Sequence, residues 1–167
     1  MALEIKRIGS EVWHQPIGLM AKHHVLGRGD WNLNPSFQRG AVWTQDQKVA
    51  WIESILMGLS LPAIILNRWP VKHPQHGFQD IVIDGQQRLR ATAEFIQGDF
   101  PVRGEFFPDQ DISFRRSFTM IDGPCPLIIT KFQTEKECAE LYVKLLTAGT
   151  AHTKEEIEKA KKIAESL

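Results

Sequence analysis

The 167-residue sequence predicts an α/β (α+β) fold, and three observations carry that expectation. Apolar β-type runs at 63–67, 81–83 and 127–132 alternate with stretches of helical periodicity, which implies strands and helices stacked in layers. Hydroxyl residues followed three positions later by Glu or Gln mark three helix starts: Thr44 with Gln47, Thr134 with Glu137, and Thr153 with Glu156. The run at 81–83 breaks at Asp84-Gly85 directly into a helical pattern headed by Gln86, Gln87 and Arg88. A chain of this length suits one domain with one core.

The elements follow in order. After Thr44, the residues Val49, Ile52, Ile55, Leu56 and Leu59 recur at helical spacing, so one helix face is expected to be buried, with a stop near Gly58 and Pro62. A strand at 63–67 leads into a loop rich in His, Pro and Gly at 69–77, then into the strand at 81–83. The helix beyond Gly85 carries Leu89, Ala93 and Ile96 on one side and ends at Gly98. Residues 99–123 read as a long irregular segment. A third strand at 127–132 precedes a helix at 135–146, with Tyr142 and Leu145 inward and Leu141 alongside. The final stretch, 154–162, alternates acids and bases at helical spacing and reads as a solvated helix face, with Ile157, Ala160 and Ile163 packing inward.

Composition removes several function classes. Lysine plus arginine number 20, and so do aspartate plus glutamate, so formal net charge is zero and no global basic field holds nucleic acid. Any DNA contact must be local. The two cysteines, Cys125 and Cys138, lack metal-ligand spacing, and neither end resembles a secretion signal, so a reducing, cytoplasmic setting without a disulfide is expected. The longest apolar stretch, 59–66, is interrupted by Ser60 and Pro62 and is too short to cross a bilayer. A soluble protein with no membrane partner is expected.

The Asp84-Gly85 junction is where chemistry is expected. A glycine there lets the backbone turn sharply, and the first N–H groups of the following helix lack internal partners and can receive a phosphate. The helix dipole adds partial positive charge, Arg88 adds a full charge with fork geometry, and Gln86 and Gln87 add neutral donors that do not repel a polyanion. Asp84 can hold a magnesium ion beside those phosphates. The bland alternative is an ordinary strand-to-helix turn with a surface arginine. A second constellation, Asn34-Pro35-Ser36-Phe37-Gln38-Arg39-Gly40-Ala41-Val42-Trp43, brings another Gln-Arg pair just before the first capped helix. Phe37 and Trp43 can anchor this loop while Arg39 projects into a cleft toward a second phosphate or a base. The alternative makes Arg39 a loop salt bridge.

Other residues invite weaker readings. His73 and His76 have a zinc-compatible spacing but no third ligand nearby, and loop histidines are usually solvated. His23 and His24, ahead of Gly27 and Gly29, suit a turn or loop better than a base contact. Arg115 and Arg116, between Phe114 and Phe118, offer a local nucleic-acid contact or, equally, arginines lying over an apolar patch.

Taken together, Phe37-Gln38-Arg39 with Val42-Trp43, Ser54-Ile55-Leu56-Met57-Gly58 with Leu61-Pro62, and Ile83-Asp84-Gly85-Gln86-Gln87-Arg88-Leu89 resemble the N-terminal domain family of GmrSD-type restriction endonucleases. The resemblance implies a single ParB/sulfiredoxin-like domain over 1–167, a small mixed sheet with surrounding helices. Its core spans about 34–150, with an N-terminal extension at 1–33 and a C-terminal helix at 153–166. In that family the Asp-Gly-Gln-Gln-Arg string signs a nucleotide-dependent domain whose nucleotide binding and hydrolysis license DNA cleavage. Residues 85–91 are also similar to the arginine-rich box with which ParB proteins hold the triphosphate of CTP. Arg90 matches a further arginine of that box, but a helix interior turns it roughly 200° from Arg88. The sequence departs from the family near its end, where Leu146 stands for a usual asparagine and Ala148 for a usual glycine.

The expected function is therefore a nucleotide-phosphate-binding domain, a Mg2+-dependent nucleoside triphosphatase linked to DNA processing or restriction and to a nuclease partner. Asp84 and Arg88 are the expected catalytic residues, Asp84 the expected metal ligand, and Gln38, Arg39, Gly85, Gln86, Gln87 and Arg88 the expected nucleotide contacts. The alternative is a non-enzymatic DNA- or protein-binding module of phage or mobile-element origin. A nuclease acting alone lacks recognisable metal-ligand acids.

Overall fold

A computed structural model describes residues 9–27, 29–38, 40, 42–69, 80–148 and 154–166. Among these, five strands form one mixed sheet: β1 (Gly9–Pro16), β2 (Trp31–Asn32), β3 (Ile64–Arg68), β4 (Asp80–Asp84) and β5 (Pro124–Thr130). Their order is β1-β5-β3-β4-β2. β1 runs antiparallel to β5 and β3 antiparallel to β4, whereas β3–β5 and β2–β4 are parallel. The helices are α1 (Ile17–Met20), α2 (Gln45–Leu56), α3 (Gln86–Gln97), α4 (Ile112–Met120), α5 (Glu135–Ala148) and α6 (Lys154–Ser166).

Alternation along the strands divides the core in two. Successive strand residues point to opposite faces, so Val82 joins Ile64, Leu66, Leu127 and Ile129 in one cluster with α2, α3 and α4. Ile81 and Ile83 point the other way, toward Cys138 and Ala139 of α5 and Ala164 of α6. The sheet is the middle layer of an α/β domain. α3 is buried nearly all round, through Leu89, Ala91, Thr92, Ala93 and Phe95 together with the polar Gln86 and Arg88. Such a helix must satisfy its polar groups internally. Thr92 does so by accepting from Trp51 Nε1 at 3.0 Å and donating to the Arg88 carbonyl at 2.8 Å.

Local signals placed most elements. Thr44 and Gln47 form the reciprocal capping box at the start of α2, and Thr134 and Glu137 do the same for α5. Thr153 lies outside the described residues, as do the side chains of Ile157 and Ala160; Ile163 packs against the α5 side of the core. Leu56 and Leu59, expected inward, are exposed, because Trp51 fills the face of α2 that meets α3.

Three features differ from the sequence expectation. The segment before Asn34 supplies β1 and β2, and it places Ile17, Met20 and Trp31 in the main core. His23 and His24, for which a turn or loop is expected, lie in a π-helical segment, Ala21–Gly27. There His24 stacks on Trp31 at 3.9 Å and pairs through Nδ1 with Asp30 at 2.7 Å, which holds the ring against the core edge. The segment 99–123 is not irregular: it contains a 3-10 turn, Phe107–Asp109, and α4. Asp111 caps α4 by accepting from Phe114 N at 2.8 Å, and Phe118 locks it into a cluster with Phe95, Phe107 and Phe114. Phe95 and Phe107 lie outside the helix, so periodicity within nine residues does not reveal it.

Candidate functional site

The site is built where β4 ends. Gly85 has φ +105°, a conformation that disfavours any side chain, and a Cβ there would collide with Ile64 Cδ1. Only glycine allows α3 to start this close to β3. No side chain caps α3. The Gly85 carbonyl accepts from Leu89 N at 3.0 Å, so the amides of Gln86, Gln87 and Arg88 precede the first intrahelical donor. These three residues help to line a cleft of about 170 Å³, with Gln38, Asp84 and Gly85 beside them and Val42, Trp43, Ile83, Tyr142 and Leu146 completing the wall. Pockets that enclose a whole small molecule run from about 300 to 1,000 Å³. This cleft suits one end of a ligand.

Arg88 is buried, and its guanidinium is held from three sides. Nη1 donates to the Pro62 and Ala63 carbonyls at 2.6 and 2.9 Å, and Nη2 donates to Asp84 Oδ2 at 2.6 Å. The carbonyls precede β3 and the carboxylate ends β4, so one side chain ties both strands to α3. The Asp84 side chain remains 43% exposed, which leaves its carboxylate reachable from the cleft.

The glutamines act as clasps. Gln38 Nε2 donates to the Val82 and Ile83 carbonyls at 2.8 and 2.6 Å. Gln86 Nε2 donates to the Leu33 carbonyl and to Asn34 Oδ1. Gln87 is used at both ends: Nε2 donates to the Gly40 carbonyl at 2.9 Å, and Oε1 accepts from Val42 N at 3.1 Å. Leu33, Asn34, Gly40 and Val42 are therefore stitched to the head of α3. Phe37, buried against Tyr142, and Trp43, edge-on to Trp51 at 6.2 Å, anchor the same loop.

The fold thus brings Gln38, Asp84, Gly85, Gln86, Gln87 and Arg88 to one cleft. Arg39 lies outside the described residues, between the anchored Gln38 and Gly40. Arg90 bonds Asn34 Oδ1 at 2.5 Å and takes no part in lining the cleft. Tyr142 and Leu146 reach the site from α5; sequence marked Tyr142 only as core and Leu146 only as a family departure. The Pro62 and Ala63 carbonyls were invisible to sequence reasoning, because backbone acceptors carry no residue signature. His73 and His76 lie outside the described residues. Among the described residues no group of three or more His, Cys, Asp or Glu side chains could hold a metal ion. Arg115 and Arg116 sit on α4, where Arg116 is exposed and Arg115 half-buried.

Both cysteines are free and buried. Burial pushes the Cys125 thiol up, although Arg88 nearby opposes the shift, and it donates to the Pro62 carbonyl at 3.2 Å. Burial, aided by Glu135 and Glu137, pushes Cys138 up to about 12. Burial thus holds both thiols toward the protonated form.

Residues 23–166 match the family model described as GmrSD restriction endonuclease, N-terminal domain. The chain belongs to that family. No curated protein and no solved structure matches it. Membership ties this GmrSD N-terminal domain to restriction-related DNA processing, and the match begins within the π-helical turn, ahead of the loop that crosses α3. No helix among the described residues is long and apolar enough to cross a membrane.

Proposed function

We propose that this GmrSD N-terminal domain binds the phosphates of a nucleoside triphosphate at the head of α3, in the manner of ParB-type domains, and hydrolyses it with Mg2+ in support of DNA restriction by a nuclease partner. One observation carries the reading: an uncapped helix N-terminus opens on a cleft beside a half-exposed carboxylate. The amides and helix dipole favour an anion. Arg88 adds its charge to the cleft wall while its N–H groups fix Asp84. Magnesium keeps several waters and needs only one or two carboxylates plus substrate phosphates, so Asp84 alone suffices as its protein ligand. The protein's own share of the reaction is to hold the phosphates on the amides of Gln86, Gln87 and Arg88, and to keep Asp84 aimed at metal or water.

A second reading keeps the phosphate site but removes turnover. Leu146 puts an apolar, buried side chain on the cleft wall, at the position where the family's usual asparagine would offer an amide. The chain would then bind without hydrolysing and act as a module recognising DNA or a protein. Phosphate release with Mg2+ decides between the two. Turnover in the wild type that is lost in Asp84→Asn supports the hydrolase. Triphosphate binding without release supports the binder.

A further inference from the structure

The ends of α2 and α4 carry a concentration of exposed apolar side chains. Leu56, Met57 and Leu59 lie where α2 stops, Met120 and Ile121 where α4 stops, and all five are between 41% and 67% exposed. Both segments belong to unbroken described stretches, 42–69 and 80–148. They come together at Gly123, where a Cβ would stand 2.8 Å from Ile55 and 3.2 Å from Leu61. Ile55 and Leu61 are buried, so residues 56–60 form the surface above them. α2 ends in a Schellman turn, with Leu59 N donating to the Ser54 carbonyl at 3.1 Å and Gly58 N to the Ile55 carbonyl at 3.0 Å. The apolar residue after such a turn commonly packs back on the helix, yet Leu59 stays 51% exposed.

The five side chains expose an area on the order of 500 Å², near the top of the range of about 300 to 600 Å² for the largest apolar patch on a monomer, a size that is often functional. A standard protein interface buries about 800 Å² on each partner and is somewhat more than half apolar. The patch matches the apolar share of one such half. Its charges are complementary to each other. Glu53 lies one turn before Met57 on α2, and Arg116 one turn before Met120 on α4, and side chains so spaced share a helix face. Arg116 is exposed. Arg103 Nε donates to Glu53 Oε1 at 2.8 Å, but a pair whose arginine is 76% exposed contributes little and leaves the carboxylate able to take a second cation. One half of the patch is therefore apolar and acidic, the other apolar and basic, which is what a surface needs to pair with itself about a twofold axis.

We infer that the ends of α2 and α4 form the contact of a twofold dimer of this chain. Leu56, Met57 and Leu59 of each copy pack on Met120 and Ile121 of the other, and Glu53 of each meets Arg116 of the other. The dimer leaves the cleft at the head of α3 open: Trp43, on its wall, precedes the first turn of α2, and the 12 residues of that helix set the patch about 18 Å away.

Sedimentation velocity on the full chain tests the dimer. An interface of standard size gives micromolar affinity or tighter, so the wild type should be mainly dimeric at about 50 µM. Met57→Asp and Ile121→Asp should each leave a folded monomer at that concentration. Glu53→Arg and Arg116→Glu each set like charges opposite one another twice, and each should weaken self-association on the order of tenfold. An equimolar mixture of these two charge variants makes both contacts opposite in sign again, so a mixed dimer should form with the affinity of the wild type. A wild type that stays monomeric overturns the proposal and gives the patch to a different occupant. A dimer that survives both aspartates uses another face and overturns it too. Failure of the mixture to recover means that α2 does not face α4 across the axis, which contradicts the proposed contact even where a dimer forms.

Discussion

At the scale of single residues, Gly85 and Arg88 decide whether the cleft exists. Gly85→Ala combines a side chain at φ +105° with a clash against Ile64, and should cost about 2 to 4 kcal/mol, read from urea denaturation. Arg88→Ala orphans the Pro62 and Ala63 carbonyls and leaves Asp84 unpaired, which predicts a loss of about 2 to 3 kcal/mol in stability. The same change should weaken triphosphate binding far more than Arg90→Ala, because Arg90 bonds Asn34 and lies off the cleft. Equal losses by calorimetry would show that Arg90, not Arg88, serves the ligand. Sequence identified Asp84 through Arg88 as one unit, since a strand, a glycine and a helix start are all local signals. It did not show that the Arg88 fork is spent on backbone carbonyls, nor that Gln86 and Gln87 hold a loop, because their partners lie 25 to 53 positions away.

At the scale of elements, the legible parts were those whose causes are local. The capping boxes of α2 and α5 and the glycine stop of α3 at Gly98 stand where the residue pattern puts them. Thr44→Ala should therefore cost about 1 kcal/mol by thermal denaturation. β1, β2 and α4 were illegible for the opposite reason. β1 is an edge strand with Val12 and Trp13 both exposed, so its alternation carries no inward face, and α4 is defined by aromatic partners from two other segments. The loop at 33–43 owes its place to Gln87, so Gln87→Ala should accelerate hydrogen exchange at the Val42 and Trp43 amides without a global loss of protection. Unchanged exchange there would mean that Phe37, Gln38, Trp43 and Gln86 hold the loop without Gln87.

At the scale of the whole molecule, two consequences follow from charge and burial. Formal net charge is zero, so at about 0.15 M salt the isolated domain should show no tight sequence-independent binding to duplex DNA by fluorescence anisotropy. Cys138 keeps its proton to about 12 when folded, whereas an unfolded thiol loses it near about 8.5. Between those values the unfolded chain binds fewer protons than the native one, so stability should fall as pH rises above about 9, and Cys125 shifts in the same direction. Denaturation midpoints across that range check the sign, and Cys138→Ala should flatten the slope. The central claim is that the head of α3 receives an anion. A crystal structure with a non-hydrolysable nucleoside triphosphate and Mg2+ tests it directly: phosphate density within hydrogen-bond reach of the Gln86, Gln87 and Arg88 amides is the predicted result. A nucleotide bound elsewhere, with that cleft unchanged, would contradict the account.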